Sequence, residues 1–311
     1  MVKIDLITGF LGSGKTTFIK KYAKYLIDKG ENIGIIENDY GAVNVDMMLL
    51  KDLEGDNCEL EMIAGGCDAD CHRRRFRTKL IAMGMYGYDR VIVEPSGIYD
   101  VDEFFDVLRD DPIDRWYEIG NVITVVDAKL EKKMSDEADY LLASEAANAG
   151  CIVLSRCQEA EKKEIEATIH HLNDAVEKVQ CKRRFQDEII AKDWDTFEKE
   201  DYERILSSGY AAESYQKMHI EEGEVFKSLY FMNLEKTKEQ IVEAAKAVLE
   251  DKECGKVFRV KGFLKDEDGK WLELNATHQE LRIEPIPEGQ EVVIVIGEGL
   301  CEEKIQECFS V

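Results

Sequence analysis

Gly9-Phe10-Leu11-Gly12-Ser13-Gly14-Lys15-Thr16-Thr17 is the stretch that decides the fold of this chain, because it matches the phosphate-binding pattern G-x-x-x-x-G-K-[ST] at every position. In such a loop the glycines let successive backbone N–H groups point at phosphate oxygens. The lysine reaches the β- and γ-phosphates, and the hydroxyl that follows it is a ligand for Mg²⁺. We therefore expect a nucleoside triphosphate to bind at Gly9, Gly12, Ser13, Gly14, Lys15, Thr16 and Thr17.

The sequence on either side of the loop has the pattern that a phosphate-binding loop requires. Residues 3–8 form an apolar run that predicts a buried strand. Residues 17–26 predict a helix, because apolar side chains recur on one side of it: Phe18, Ile19, Tyr22, Ala23 and Leu26. The partial positive charge at the amino end of this helix would add to the attraction for phosphate.

The first half of the chain alternates between predicted strands and segments long enough to be helices. Near-continuous apolar runs predict strands at residues 4–8, 32–37, 90–94, 122–126 and 151–154. Runs of this kind are typical of a mostly parallel sheet covered by helices on both faces. The predicted fold is therefore α/β, of the P-loop NTPase type, and ligands should bind beyond the carboxyl ends of the strands.

The second half has a different pattern. Residues 159–222 are polar and predict helices at 159–179 and 195–206. A second unit then follows, with a strand (225–232), a helix (238–249), four strands (257–264, 271–275, 281–285 and 292–297) and a closing helix (302–309). We predict a nucleotide-binding domain at 1–201, a helical connector at 202–223 and a smaller α+β domain at 224–311.

Composition and charge limit the classes of partner. The 311 residues carry a net charge of −24, which argues against affinity for nucleic acid or anionic membranes. No apolar stretch approaches bilayer length and no secretory pattern is visible, so a cytoplasmic location is expected. The nine cysteines are scattered through a long chain, which indicates free thiols and a metal site more than a disulfide framework.

Acidic residues follow the predicted strands where a nucleotide would need them. Glu94 ends an apolar strand, which is a position that holds Mg²⁺ directly or through water. Gly97 lies shortly after it, where a backbone N–H can approach a γ-phosphate. Glu37 and Asp39 follow the second strand and are candidates for positioning water and for linking the nucleotide to the cysteine-containing segment. With Lys15 and Thr16, these carboxylates make up the predicted catalytic set.

These motifs together resemble those of the CobW-type P-loop GTPases, a class that also includes the nickel-insertion GTPases of hydrogenase and urease. Besides the phosphate-binding loop, the resemblance rests on Glu37-Asn38-Asp39-Tyr40-Gly41, Glu94-Pro95-Ser96-Gly97, Val125-Val126-Asp127-Ala128, Gly66-Cys67, and two C-terminal stretches at 257–263 and 271–277. The resemblance implies a Mg²⁺-dependent GTPase that acts as a metallochaperone or in metal-cofactor or cobalamin-related insertion. The implied partners are a nucleotide and a metalloprotein or cofactor-dependent client.

The base-reading motif departs from the GTPase pattern. GTPases use Asn/Thr/Ser-Lys-x-Asp after the fifth strand, because one carboxylate accepts hydrogen bonds from both N1–H and the 2-amino group of guanine. This chain has Ser155-Arg156-Cys157-Gln158. Arg156 can pack against the base, but the amide of Gln158 cannot form that charge-assisted pair. Ser155, Arg156 and Gln158 remain the predicted base-contacting residues, with GTP favoured and ATP open.

The cysteine motif departs from the family pattern as well. The family carries Cys-x-Cys-Cys after a glycine, whereas this chain has Cys67-Asp68-Ala69-Asp70-Cys71-His72. Two thiols four residues apart on a helix lie on one face and can bind one ion. Cys67, Cys71 and His72 are the predicted ligands, with Asp68, Asp70 or Cys58 to complete a tetrahedral site. Thiolate and imidazole suit Zn²⁺, Co²⁺ or Ni²⁺.

Three other functions are consistent with these residues. The first alternative is an ATP-dependent small-molecule kinase, although no arginine-bearing lid is visible. The second is a client-activating chaperone driven by ATP or GTP without metal cargo, which the altered cysteine motif favours. The third is a passive metal-binding protein, against which the complete phosphate-binding loop argues. The favoured reading is a slow GTPase switch in which the nucleotide orders or releases residues 37–46 and 67–77.

Overall fold

A computed structural model divides the chain into two compact units, Met1–Met218 and His219–Val311. It describes every residue except 11, 40–45, 65–68, 96–100, 132–133, 218–225, 233, 235, 267, 279, 288 and 311, and it leaves out the side chains of 38, 39, 46, 64, 69, 70 and 310. The predicted fold class is confirmed in both units. The domain limits at 201 and 223 stay predictions.

The first unit is built on a seven-stranded sheet in which every pairing is parallel. Its strand order is β3-β2-β4-β1-β5-β6-β7, so β1 lies in the middle. The strands are β1 (Val2–Thr8), β2 (Ile33–Asp39), β3 (Cys58–Ala64), β4 (Arg90–Pro95), β5 (Tyr117–Asp127), β6 (Cys151–Ser155) and β7 (Ile189–Ile190).

Two strands were absent from the prediction, and each has a physical reason. β3 is an edge strand in which buried Cys58 and Leu60 alternate with Glu59 and Glu61, so it lacks the continuous apolar run of the inner strands. β7 contains two residues, which is too short for any periodic pattern. The five inner strands were predicted because they are buried on both faces.

Helices connect the strands of the first unit. They are α1 (Lys15–Asp28), α2 (Asp46–Leu50), α3 (Ala69–Gly84), α4 (Val101–Leu108), α5 (Ile113–Trp116), α6 (Asp136–Ala147), α7 (Lys162–Lys178) and α8 (Lys199–Leu206). The five apolar residues predicted for one side of α1 are all buried. In the part of the chain that the structure describes, no helix has both the length and the hydrophobicity needed to cross a membrane.

Two predicted helices begin later than expected, because capping side chains set their first residues. α7 begins at Lys162, where Glu161 and Glu164 form a reciprocal capping box. The segment predicted as one helix at 195–206 divides into a 3₁₀ turn, Trp194–Thr196, and α8, which is capped by Glu198. In both places, the residues that were predicted as the first turn of the helix precede the capping residue and lie outside the helix.

The second unit contains a five-stranded antiparallel sheet with the order β11-β10-β9-β12-β8. Its elements are β8 (Phe226–Met232), α9 (Lys238–Glu250), β9 (Lys256–Lys265), β10 (Trp271–Ala276), β11 (Leu281–Pro285), β12 (Val292–Glu298) and α10 (Glu302–Ser310). Each begins and ends within one residue of the predicted limits. Buried side chains of α9 and α10 pack on the sheet, which gives this unit its own core.

A buried ion pair joins the central elements of the first unit. Asp5 of β1 is fully buried, and Nη1 of Arg90 at the start of β4 lies 2.8 and 2.7 Å from its two carboxylate oxygens. Tyr22 of α1 donates to the same carboxylate at 2.7 Å, and the backbone N–H of Asn121 in β5 donates at 2.8 Å. These bonds offset the desolvation of the two charges, because the carboxylate has partners on three elements.

We expect Arg90→Met to lower the free energy of unfolding by about 3–5 kcal/mol, since it leaves the Asp5 carboxylate buried without its cation. Chemical denaturation measures this loss. Arg109→Met is the matched control, because the Arg109–Asp106 pair is exposed (78% and 55%) and should contribute less than about 1 kcal/mol. Equal losses in the two variants would contradict the importance assigned to the buried pair.

Candidate nucleotide site and cysteine segment

The phosphate-binding loop leaves the carboxyl end of β1, between the ends of β4 and β5. Gly9 approaches β5 closely: a Cβ on this residue would lie 2.3 Å from the carbonyl oxygen of Val125 and 2.7 Å from the Ser13 hydroxyl. Gly9 also has a φ of +148°. Only glycine fits here, so the spacing of the motif has a steric basis.

The amino end of α1 is suited to binding an anion. Gly14, with a φ of +99°, precedes the helix, and no side chain caps it. The first turn also contains no acidic residue. By contrast, Ser135 caps α6 and Thr237 caps α9 with their side chains. The first N–H groups of α1 therefore have no side-chain acceptor, and a phosphate can accept from them.

Lys15 and Thr16 occupy the positions that their motif predicts. Lys15 is buried, and its ammonium group donates to the carbonyl of Gly9 at 2.9 Å. The hydroxyl of Thr16 donates to Oε1 of Glu94 at 3.1 Å, which brings the two predicted Mg²⁺ ligands together. Within the described part of the chain, the buried hydroxyl of Ser13 has no hydrogen-bond partner. A hydroxyl, a carboxylate and an unsatisfied donor fit a Mg²⁺–triphosphate group.

Glu37 lies beside Glu94, because these residues are register partners in the parallel pair β2–β4. Both side chains are buried. Asp39 is the last residue of β2 and pairs with Ala64 of β3, but its side chain lies outside the described residues, as does all of Gly97. The structure therefore brings Lys15, Thr16, Glu37 and Glu94 to one edge of the sheet.

The predicted base-contacting segment follows β6. Ser155 is buried against the loop: its Cβ lies 3.6 Å from the position of a Cβ on Gly14. Arg156 has a positive φ of 54°, and its guanidinium pairs with the carboxylate of Asp127. Gln158 is exposed, and its amide donates to Glu159 at 3.4 Å. Ser155 thus lies next to the phosphate-binding loop, Arg156 pairs with the last residue of β5, and the Gln158 side chain contacts its own neighbour.

Only part of the predicted metal site lies in the described residues. Cys67 and Asp68 lie outside them, as does the side chain of Asp70. Cys71 is half-buried on α3, whereas His72 is 1% exposed. Burial and the charge of Arg75 lower the pKa of His72 to about 4, so its imidazole is neutral at pH 7. Among the described residues, no three His, Cys, Asp or Glu side chains lie close enough together to hold a metal ion.

Cys58, offered as a further metal ligand, begins β3, whose last residue is Ala64. Six residues of extended chain separate the two ends of this strand by about 20 Å. Because Cys67 lies outside the described residues, the contribution of Cys58 to a metal site stays a prediction.

Two side chains near the loop were missed by the sequence analysis. Glu145 of α6 is fully buried, and this burial raises its pKa to about 8, against the opposing effects of Lys15 and Thr8. Trp194, after β7, lies close to Gly14: its ring is 3.5 Å from the position of a Cβ there. Glu145 lies among the apolar and small residues in the second half of α6, apart from the three acids of the first turn, and this pattern is a sequence signal for a buried acid. No short motif identifies Trp194.

The parallel sheet, the glycine-rich loop and the paired Thr16 and Glu94 define a P-loop nucleotide-binding protein. The profile described as "CobW/HypB/UreG, nucleotide-binding domain" matches residues 3–186, and that described as "Cobalamin synthesis protein cobW C-terminal domain" matches residues 233–310. The chain belongs to this family.

Among individual relatives, the zinc chaperone YeiR of Escherichia coli is 31% identical over 151 residues, which cover 47% of this chain and 45% of YeiR. The zinc chaperone YjiA of the same organism is 28% identical over 137 residues, 41% of each chain. The matched segments thus span less than half the length of these relatives. Zn(II)-bound YjiA GTPase gives a TM-score of 0.35 at 17% identity, over 99% of this chain and 98% of that one.

We expect Gly9→Ala to abolish tight nucleotide binding, because the added methyl group meets the Val125 carbonyl and displaces the loop. Titration with nucleotide measures the loss, which should exceed about 100-fold. Gly30→Ala is the matched control: Gly30 also has a positive φ, of +87°, but a Cβ there meets nothing within 4 Å. Unchanged affinity in Gly9→Ala would contradict the close approach.

We also expect Glu145→Gln to reduce the pH dependence of stability in the nucleotide-free protein. An ordinary glutamate ionises near 4.5, whereas Glu145 stays protonated in the fold until about 8. Wild-type stability should therefore fall as pH rises between these values, by up to about 1.4 kcal/mol per pH unit. Denaturation from pH 5 to 9 measures the difference between wild type and variant, which should grow across this window and level off above pH 8.

Glu166→Gln removes an exposed carboxylate of α7 and is the control for that experiment. Its stability profile should run parallel to that of the wild type. A Glu145→Gln profile that also runs parallel to the wild type would show that Glu145 ionises normally in the fold.

Proposed function

We propose that this protein is a Mg²⁺-dependent GTP-binding switch that hydrolyses GTP slowly and carries a transition-metal ion as cargo to a client metalloprotein. The observation that carries the proposal is the hydrogen bond from Thr16 to Glu94 at the end of the phosphate-binding loop. This contact joins the two side chains that a bound Mg²⁺ requires. Lys15, the residue before Thr16, supports binding of a triphosphate, because a lysine at this position of the loop reaches the β- and γ-phosphates.

Each residue has a distinct role in this proposal. Thr16 and Glu94 hold Mg²⁺, which would neutralise charge on the β- and γ-phosphates. Lys15 leaves the Gly9 carbonyl and donates to the phosphates, with the backbone N–H groups of residues 12–17. Glu37 and Asp39 orient the attacking water. Such catalysis by positioning and electrostatics is slow without a partner, as in other switches.

The strand register supports coupling between the nucleotide and the cysteine segment. Glu94 of β4 is beside Glu37 of β2, and two residues later Asp39 of β2 is beside Ala64 of β3. Cys67 comes three residues after Ala64 in the sequence. A structural change at the γ-phosphate could therefore be transmitted from β4 to β2 and from β2 to β3, through these two pairs of neighbouring residues. Residues 37–46 and 67–77, which include the proposed cargo ligands, would then change conformation.

The proposed cargo site consists of Cys67, Cys71 and His72. Its thiolates and imidazole favour Zn²⁺, and then Co²⁺ or Ni²⁺, over Mg²⁺. Relatives described as zinc chaperones support zinc, as does a zinc-regulated GTPase metalloprotein activator of Schizosaccharomyces pombe, 24% identical over 163 residues. His72 must turn outward to bind, because it is buried in the structure described.

A second candidate is a client-activating GTPase without metal cargo. The altered spacing of the cysteines and the burial of His72 favour it. In this case the nucleotide would still change residues 37–46 and 67–77, and the client would bind these segments directly.

Metal titration in each nucleotide state separates the two candidates. Zn²⁺ binding is measured by calorimetry with Mg²⁺–GDP and with Mg²⁺ and a non-hydrolysable GTP analogue, in wild type and in Cys67→Ser/Cys71→Ser. A metallochaperone predicts one ion whose affinity differs between the states by at least about 10-fold and is lost in the variant. Cys301→Ser, a half-buried thiol of the second unit, is the control. If the double variant binds nucleotide tightly and its Zn²⁺ binding is unaltered, Cys67 and Cys71 are not cargo ligands, and the client-activating GTPase without metal cargo is the candidate supported.

We expect Lys15→Ala to lower the GTP hydrolysis rate by at least about 100-fold, since it removes a charge from the transferring phosphoryl group. A phosphate-release assay with Mg²⁺–GTP measures it. Lys24→Ala removes an exposed lysine from the same helix and should stay within about twofold of wild type. Hydrolysis by Lys15→Ala at the wild-type rate would exclude this loop as the catalytic site.

A further inference from the structure

The loops after β6 and β7 meet beside the phosphate-binding loop. Because β6 and β7 are adjacent parallel strands, their carboxyl ends reach the same edge of the sheet. Gly14 lies between them: the Cβ of Ser155 and the ring of Trp194 lie 3.6 and 3.5 Å from the position of a Cβ on this glycine. A base attached to phosphates held at Gly14 would therefore face both loops.

Recognition of guanine needs a carboxylate, and position 158 in the loop after β6 does not supply one. Gln158 is exposed, and its amide is bonded to Glu159. Asp127, at the end of β5, accepts from the guanidinium of Arg156 and from the backbone N–H of Lys129. These contacts engage the Asp127 and Glu159 carboxylates on that side, and the adjacent loop after β7 supplies another carboxylate at the same edge of the sheet.

Asp193 is that acceptor in position and in chemistry. It immediately precedes Trp194, and one of its oxygens accepts from the backbone N–H of Asp195 at 3.0 Å, which fixes its rotamer at the start of the 3₁₀ turn. Its charge also reaches the opposite loop: after burial, Asp193 is the largest cause that raises the pKa of Cys157, ahead of Asp127. The carboxylate of Asp193 is therefore near Cys157 in the opposite loop.

The ring of Trp194 lines this gap beside Gly14. Its side chain is 9% exposed, and its ring packs against Phe18 of α1 with centroids 5.4 Å apart. The indole N–H has no hydrogen-bond partner among the described residues. A buried donor without an acceptor is rare in folded proteins, although the ring atoms nearest Gly14, Cη2 and Cζ3, lie on the side of the indole away from this N–H.

We propose that Asp193 reads the guanine base, replacing the carboxylate that is absent at Gln158, and that Trp194 forms the adjacent wall of the base pocket. This inference rests on the proposed function, since it assigns the base specificity of the same nucleotide site. It assigns guanine as the substrate base, with a carboxylate from a different strand.

Asp193→Asn is the sharpest test. Asparagine retains the helix-capping ability of aspartate, so the turn is preserved. The amide can donate to the 2-oxo group of xanthine but cannot accept both guanine hydrogens. We expect GDP affinity to fall about 10- to 100-fold and xanthosine diphosphate affinity to rise, with ADP affinity unchanged. Equilibrium titration with the three diphosphates in Mg²⁺ measures this, and thermal denaturation reports on folding.

Asp195→Asn is the matched control. It makes the same charge change two residues away, at an exposed carboxylate paired with Lys21, and should leave all three affinities within about twofold. The gain for xanthosine diphosphate is the decisive result, because a purely structural role for Asp193 would not produce it.

The possible failures are distinguishable. If the wild type binds GDP more tightly than ADP, and Gln158→Ala rather than Asp193→Asn removes the preference, the inference is overturned while the GTP switch stands. If the wild type binds GDP and ADP equally, no residue reads guanine and the inference is overturned. If it binds neither, the proposed function fails as well.

Discussion

The structure depends on one constraint: in an all-parallel sheet, the carboxyl ends of all strands meet at one edge. With β1 in the middle, the phosphate-binding loop leaves the sheet between the ends of β4 and β5. The close approach of Gly9 to the Val125 carbonyl fixes that loop against β5, and the bond from Thr16 to Glu94 fixes it against β4. The other predicted site residues lie in the last residues of a strand or in the segment that follows one.

Several polar groups buried at this edge of the sheet could change hydrogen-bond partners when a nucleotide binds. Lys15 donates to the Gly9 carbonyl in the structure described, and Glu145 lies behind it with a raised pKa. A phosphate would replace the carbonyl as the acceptor for Lys15 and would satisfy the Ser13 hydroxyl. The protein therefore keeps several polar groups desolvated near the loop, at a cost in stability that buried groups at functional sites commonly carry.

The sequence was sufficient where a pattern is dictated locally. The loop glycines, the inner strands and almost every limit of the second unit could be predicted, because steric fit and apolar periodicity act over a few residues. It was insufficient where burial depends on the tertiary fold. β3 alternates as an edge strand and was not predicted, so the separation of Cys58 from the far end of that strand was not predicted either. Glu145 and Trp194 reach the loop from elements distant in sequence, and no local motif marks such contacts.

Strand order also separates the two departures from the family pattern. The cysteine segment follows β3 at one edge of the sheet, whereas the altered base motif follows β6, five strands across. At about 4.8 Å per strand, these ends lie about 24 Å apart, with the phosphate-binding loop between them. In the proposed switch, the γ-phosphate acts on the β4–β2–β3 side and the base is held on the β5–β6–β7 side. Base recognition and cargo coupling would then use different halves of one sheet edge, so that a change in either motif leaves the residues of the other in place.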